Sequence, residues 1–234
     1  MTPTPPRIYK LDGVKSSAEM EGGPVWGLRL LAPNVPEEEA APLIAQNKAF
    51  HHALRSGEII PAEIFGDGVW RWSRPMPRIP KQKPFMDFSG RFVVSGAVKD
   101  VLERFDLGNT VFHRLTMHKN PDMAPLWDTP MYLLNVANHK KTVDFRKGVA
   151  QGVVSSTEYI RPNDPPSYGN IIGAACPVWR SALDGPDIWM AESFSVGPFF
   201  ITHRIADALR AEKLTASPHL TECPFSEGDE TLGA

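Results

Sequence analysis

Two stretches of the chain change from a strand-like to a helical spacing of apolar residues. The stretch RFVVSGAVKDVLERFDLG (91–108) begins with a short apolar run and continues with apolar residues three and four positions apart. The stretch PFFITHRIADALRAEKLT (198–215) follows the same pattern. A short apolar run favours a buried strand, and the longer spacing favours a helix with one buried face. Each stretch therefore predicts a strand that leads directly into a helix.

The two stretches align without a gap when the glycines that precede them are matched. Ser95 and Thr202 then fall at the same point, where the strand spacing gives way to the helical one. A hydroxyl oxygen there can accept a hydrogen bond from the free N–H groups of the first helical turn, so both residues are predicted helix caps. Leu102 and Leu209 also match, and we expect both to be buried. The alignment predicts two similar strand-cap-helix units.

The first 85 residues carry one helix pattern and one strand pattern. A helix is predicted after Pro42 from apolar positions at helical spacing, namely Leu43, Ile44, Phe50 and Leu54. The alternation in GVWRWSR (68–74) predicts a strand. Prolines cluster in SRPMPRIPKQKP (73–84), which predicts an irregular connector. The expected organisation has three parts: a packed N-terminal segment (1–85), a core (86–225) and an acidic, mobile tail (226–234).

Further strand patterns follow the connector. They are VFHRLTM (111–117), MYLLNVAN (131–138) and GVVSSTEYI (152–160). Strands separated by short irregular pieces, together with a few helices, are typical of an α+β protein. We therefore predict an α+β fold with a mostly antiparallel sheet and packed helices.

Composition narrows the possible partners. The chain has 25 basic and 27 acidic residues and a formal net charge of −2, without the basic excess typical of nucleic-acid binding. Its N-terminus lacks the apolar region of a secretory signal, and no apolar run approaches the roughly 20 residues that cross a bilayer. Cys176 and Cys223 are the two cysteines, which make no disulfide framework and suit a reducing cytoplasm; a single disulfide between them is the open alternative. We expect neither a nucleic-acid nor a membrane partner.

No arrangement of residues carries a recognisable catalytic or ligand signature. The sequence contains no G-x-S-x-G nucleophile motif, no G-x-x-x-x-G-K-[ST] phosphate loop and no H-E-x-x-H metal motif. Asp184 and Asp187 flank a Gly-Pro turn without the spacing of an acid–base pair. We therefore predict no catalytic, cofactor-binding or metal-binding residues, and no cofactor.

The order of several patterns resembles a known family. FVVSGAVKDVLERFDLG, VFHRL and MYLLNVANHKKTVDF, followed by the closing block from CPVWRSALDGPDIW to LTASPHLTEC, resemble the eleventh immunity-protein family of bacterial polymorphic-toxin systems, the myxobacterial type. The resemblance covers residues 86–225. It implies a cytoplasmic protein that binds and neutralises a cognate toxin without catalysis.

Two local features are candidates for the toxin interface. Glu37, Glu38 and Glu39 form an acidic run at a predicted helix start, where they can attract a basic partner surface. Trp70 and Trp72 lie beside basic, proline-rich residues, and tryptophan is a frequent anchor of protein interfaces. A pair of tryptophans on one strand face is also a common feature of a protein core.

The sequence is also compatible with two other functions. One is a small-molecule enzyme of hydrolase type without a recognisable motif, for which His113, His118 and Glu158 are the candidate residues. The other is a ligand-binding regulator.

Overall fold

A computed structural model describes ten segments of the chain. They are residues 5–12, 20–22, 37–65, 69–72, 82–87, 92–119, 124–152, 175–191, 199–216 and 219–227. The helices are α1 (Glu37–Ser56), α2 (Ala62–Phe65), α3 (Gly96–Leu102), α4 (Phe145–Ala150) and α5 (His203–Ala211), with 3-10 turns at Arg180–Leu183 and Leu214–Ala216. The strands are β1 (Ile8–Asp12), β2 (Met20–Gly22), β3 (Val69–Trp72), β4 (Phe85–Asp87), β5 (Phe92–Ser95), β6 (Thr110–His118), β7 (Met131–Val136), β8 (His139–Lys140), β9 (Ile188–Ala191), β10 (Phe199–Thr202) and β11 (His219–Cys223).

The described strands form two sheets. The first sheet has the order β11-β1-β10-β9-β8, and the second has the order β2-β3-β6-β7-β5-β4. Neighbouring strands are antiparallel except in the pairs β3–β6 and β8–β9. The predicted α+β class with mostly antiparallel strands is therefore confirmed, with the strands divided between two sheets.

β1, near the start of the sequence, pairs with two strands from its last part. It pairs on one side with β10, where Ile8 lies opposite Thr202, and on the other with β11, where Ile8 lies opposite Cys223. A strand from the predicted N-terminal segment thus lies inside the first sheet. The predicted division at residues 85 and 225 stays a prediction.

The central core contains side chains from both sheets and from α3 and α5. Its buried members include Leu11, Val94, Leu134 and Ile201 from the strands. A second core packs α1 and α2 against the second sheet around Phe50, and a third lies around Trp189 of the first sheet. Buried and exposed residues alternate in the second half of β6. They do so because successive side chains of a strand point to opposite faces of the sheet.

Helices α3 and α5 each follow a strand directly, and their predicted leucines are buried. Leu102 is 1% exposed and Leu209 is 0% exposed, so both expectations are confirmed. The Ser95 side-chain oxygen accepts from the Val98 N–H at 3.4 Å, which confirms the predicted cap of α3. The Thr202 side chain makes no capping bond to α5, so that prediction is wrong.

The predicted N-terminal helix begins earlier than expected. α1 starts at Glu37 and contains Pro42, whereas the apolar pattern placed its start after that proline. Phe50 is buried as expected, but Ile44 is 39% exposed. The predicted strand at 152–160 lies, after its first residue, outside the described residues. No helix in the described part of the chain has the length and apolar character needed to cross a membrane.

Candidate partner-binding site

A cavity of about 720 Å³ lies between the segment after α1 and the first half of β6. We call it the β6 groove. Its lining comprises residues 59–62, Phe65, residues 111–114 and Thr116. Consecutive residues of a strand point to opposite faces. A cavity that touches four consecutive strand residues therefore lies along the edge of that strand rather than over one face.

The pairing of β6 explains why this edge is accessible. On one side β6 pairs with β7 from Thr110 to Leu115. On the other side, β3 pairs only with the segment from Thr116 to His118. Among the described residues, no strand pairs with residues 111–114 on the β3 side. These positions form a strand edge beside a groove.

Asn135 of β7 holds the opposite wall of the groove. Its side chain is 2% exposed; Oδ1 accepts from the Ile60 N–H at 2.7 Å, and Nδ2 donates to the Glu58 carbonyl at 3.0 Å. A buried amide that satisfies two backbone groups fixes the path of the segment that carries them. The wall starts at Gly57, whose φ is +64° and where an added Cβ would lie 1.5 Å from Nε2 of His139. A side chain at position 57 would displace that imidazole.

His113 forms part of the groove lining but is itself buried. It is 7% exposed, and its ring stacks on the Phe65 ring with centroids 4.6 Å apart. Burial lowers the pKa of His113, and hydrogen bonding with Asn135 opposes this effect. The lowered pKa favours the neutral form of the imidazole. Its buried Nε2 has no hydrogen-bond partner.

Four residues of the groove lining are exposed, namely Ile59, Ala62, Arg114 and Thr116, and the two with large side chains are Ile59 and Arg114. Ile59 is 38% exposed, and it is one of two exposed large hydrophobic residues in the described part of the chain, the other being Ile44. Arg114 is exposed on β6, and within the described segments it forms no ion pair. The groove thus offers an apolar contact and a cation beside a strand edge.

A buried polar cluster is centred on Asp187. Its carboxylate is 1% exposed and accepts from Arg204 through Nε at 3.1 Å and Nη2 at 2.6 Å. The Thr202 hydroxyl donates to it at 2.6 Å, and the Asp106 N–H at 3.3 Å. These donors belong to the loop after α3, to the end of β10 and to the first turn of α5. The cluster joins these elements and presents no free group for chemistry.

Lys140, like Asp187, uses its charged group for contacts within the fold. Its ammonium donates to the carbonyls of Ala182, Asp184 and Pro186 at 3.1, 2.7 and 2.8 Å. It also lies 4.1 Å from the centroid of the Trp189 ring. Burial lowers the pKa of Lys140 to about 8, and three nearby aspartates oppose that effect. The ammonium holds the turn at residues 182–186 against the first sheet.

The two cysteines are free, as expected, and both are buried. Val178 and Phe225 form a parallel bridge, and each cysteine lies two residues before its bridged residue. Hydrogen bonding with Cys223 and burial raise the pKa of the Cys176 thiol. The same hydrogen bond lowers the pKa of Cys223.

The predicted interface residues lie on two separate elements. Glu37, Glu38 and Glu39 are the first residues of α1, and Glu38 is exposed. Trp70 and Trp72 lie on β3, between β2 and β6, and their side chains fall outside what is described. The structure does not bring the acidic run and the groove together, because α1 is 20 residues long and about 30 Å separate its ends.

The structure describes two of the three candidate residues for an enzyme, and these two lie at separate points of β6. His113 is buried beneath Phe65, and His118 lies five positions further along β6. Glu158 lies outside the described residues. Within the described segments, no group of three or more histidine, cysteine, aspartate or glutamate side chains is placed to hold a metal ion.

These features define an α+β protein with two sheets, in which the buried polar clusters join elements of the fold. The chain belongs to the immunity protein family Imm11, whose family model matches residues 51–219. This confirms the family resemblance and extends it upstream of residue 86, so that it includes the whole β6 groove. No curated protein matches the chain significantly. Membership of this family indicates a toxin-neutralising role.

Proposed function

We propose that this protein binds a cognate bacterial toxin and neutralises it by occupying a functional surface, without catalysis. The family match over residues 51–219 carries the proposal. The geometry supports it, because Asp187, Lys140 and Asn135 are committed to contacts within the fold. The proposed place of action is the cytoplasm, where two reduced thiols persist.

Co-expression tests the proposal directly. The partner is the toxin encoded by the gene adjacent to the one for this chain. We expect cells that produce the toxin to survive only when this protein is also produced, and we expect the two proteins to co-purify. Survival of toxin-producing cells without this protein, or the absence of a complex, would contradict the proposal.

The acidic start of α1 is the proposed site of electrostatic attraction. Glu37, Glu38 and Glu39 share one helical turn, and a cluster of like charges accelerates the encounter with a surface of opposite charge. Trp70 and Trp72 on β3 are proposed anchors of the same interface. This arrangement predicts that the glutamates affect association more than dissociation.

Association kinetics at several salt concentrations test this placement. Changing Glu37, Glu38 and Glu39 to glutamine should slow association and reduce its dependence on salt. The matched control neutralises three acids of the C-terminal run, Glu227, Asp229 and Glu230, which should have a smaller effect. An association rate that is the same for both triple variants would reject the placement.

A further inference from the structure

The β6 groove has the features of a site for an extended polypeptide. Along residues 111–114, no described strand uses the backbone groups that point away from β7. Such groups are a template for an added strand. Proteins often recognise extended peptides in this way, with main-chain hydrogen bonds for affinity and side-chain pockets for specificity. Four strand residues span about 13 Å, which sets the length of segment that this edge accepts.

The side chains around the edge specify the chemistry of the occupant. Ile59 presents an exposed apolar surface on one wall, and Arg114 presents a cation without an ion-pair partner among the described residues. Arginine recognises carboxylates through paired hydrogen bonds. An apolar residue and an acidic residue on one extended segment satisfy both groups.

His113 adds a further reason for this edge to be occupied. Its Nε2 is buried without a hydrogen-bond partner, and the residue lines the groove. A buried polar atom without a partner is costly in the free protein. A partner that supplies a hydrogen bond to this atom would remove that cost.

We propose that the β6 groove is the docking site for an extended segment of the toxin, which adds to the edge of β6 at residues 111–114 and places an apolar side chain on Ile59 and a carboxylate on Arg114. The inference rests on the proposed function and deepens it by naming the surface and the chemistry of the partner segment. The groove lies entirely within the part of the chain that the family model matches.

Two pairs of variants test the proposal by affinity for the purified toxin encoded by the adjacent gene. Ile59→Lys places a charge in the groove. Its control is Ile44→Lys, because Ile44 is equally exposed (39% against 38% for Ile59) but lies within α1, outside the groove. Arg114→Glu reverses the groove charge, and its control is Arg146→Glu on α4, also exposed. We expect each groove variant to weaken binding at least tenfold and each control to change it less than twofold. Thermal unfolding of all four variants verifies that they are folded.

Amide hydrogen exchange tests the backbone part of the proposal without any substitution. We expect amides within residues 111–114 to exchange more slowly in the complex with the toxin than in the free protein. The comparison uses the full chain in both states, so it does not depend on how a variant folds.

The outcomes separate this proposal from the function on which it rests. Tight binding of the unmodified protein, with groove variants equal to their controls and unchanged exchange at 111–114, overturns the docking site and leaves the immunity function standing. Absence of any complex overturns both. A small molecule that co-purifies in the groove and is released without effect on toxin binding also overturns the docking site.

Discussion

The two strand–helix units of this protein have the same order of elements but use their junction hydroxyls differently. β5 leads into α3 and β10 leads into α5, and the two helices contact each other in the central core. At the first junction Ser95 caps the helix that follows it. At the second, Thr202 donates to Asp187, which also binds Arg204. A hydroxyl at the same point in the pattern thus makes a local bond in one unit and a bond to a more distant residue in the other.

The difference has an energetic reason. The capping bond at Ser95 is 3.4 Å long, whereas the bond from Thr202 to the Asp187 carboxylate is 2.6 Å and charge-assisted. Hydrogen bonds to an ionised group are shorter and roughly twice as strong as neutral ones. Thr202 therefore donates to the buried carboxylate instead of capping α5. A buried carboxylate without a donor costs more free energy than a helix N–H group that can bind water.

The largest expected effect tests what the two units share. Leu102→Ala and Leu209→Ala should each lower the free energy of unfolding by about 2–5 kcal/mol, because both side chains are buried in the same core. Urea unfolding of the two variants measures the losses. Leu220→Ala is the control, since Leu220 is only partly buried against that core and should cost less. A loss below about 1 kcal/mol at either leucine would show that the two helices do not contribute comparably.

The next effect is specific to the second unit. Asp187→Asn removes a charged acceptor of Thr202 and Arg204 and should cost about 1–3 kcal/mol, the range for a buried group that loses its partners. The Arg204 side chain is 58% exposed and can turn to solvent, which limits the loss. Urea unfolding measures it, and Asp207→Asn on the exposed face of α5 is the control. Equal losses at Asp187 and Asp207 would mean that the buried cluster adds nothing to stability.

Contacts between residues that are close in the sequence could be predicted, whereas contacts between residues that are far apart in the sequence could not. The Ser95 cap was predictable because donor and acceptor are three residues apart. The partner of Thr202 lies 15 residues earlier, and the turn pattern around Asp187 gave no sign that it is 1% exposed. Likewise, no local pattern pairs β1 with β10, so the division of the strands into two sheets was not foreseen.

The β6 groove likewise depends on contacts between residues that are far apart in the sequence. The pattern of apolar residues in VFHRLTM (111–117) predicted β6 as a strand. The contact of His113 with Phe65 and the length over which β3 pairs with β6 are properties of the assembled sheet. The proposed interface at Glu37–Glu39 and on β3 came from local charge and aromatic content, which mark exposed candidates but not a strand edge.

A smaller effect separates the two junction hydroxyls. Ser95→Ala should cost about 0.5–1 kcal/mol, the lower part of the range for a helix cap, because its bond is long. Thr202→Val keeps the shape of the side chain but removes a donor to Asp187, and it should cost more. In a double-mutant cycle measured by urea unfolding, Thr202→Val and Asp187→Asn should be coupled, whereas Ser95→Ala and Asp187→Asn should be additive. Additivity in both cycles would remove the distinction between the junctions.

The smallest effect concerns the ion pair that links the two units at the surface. Arg104, just after α3, donates to Glu212, just after α5, at 3.1 Å, and about half of each side chain is exposed. Pairs of this kind gain little, because water screens the charges and both side chains lose freedom; the typical range is about 0–1 kcal/mol. We therefore expect Arg104→Ala and Glu212→Ala to couple by less than about 1 kcal/mol in a double-mutant cycle, with the coupling reduced further by added salt. A coupling as large as that between Thr202 and Asp187 would contradict this expectation. It would mean that burial does not decide how much a polar contact of this protein contributes to the free energy of unfolding.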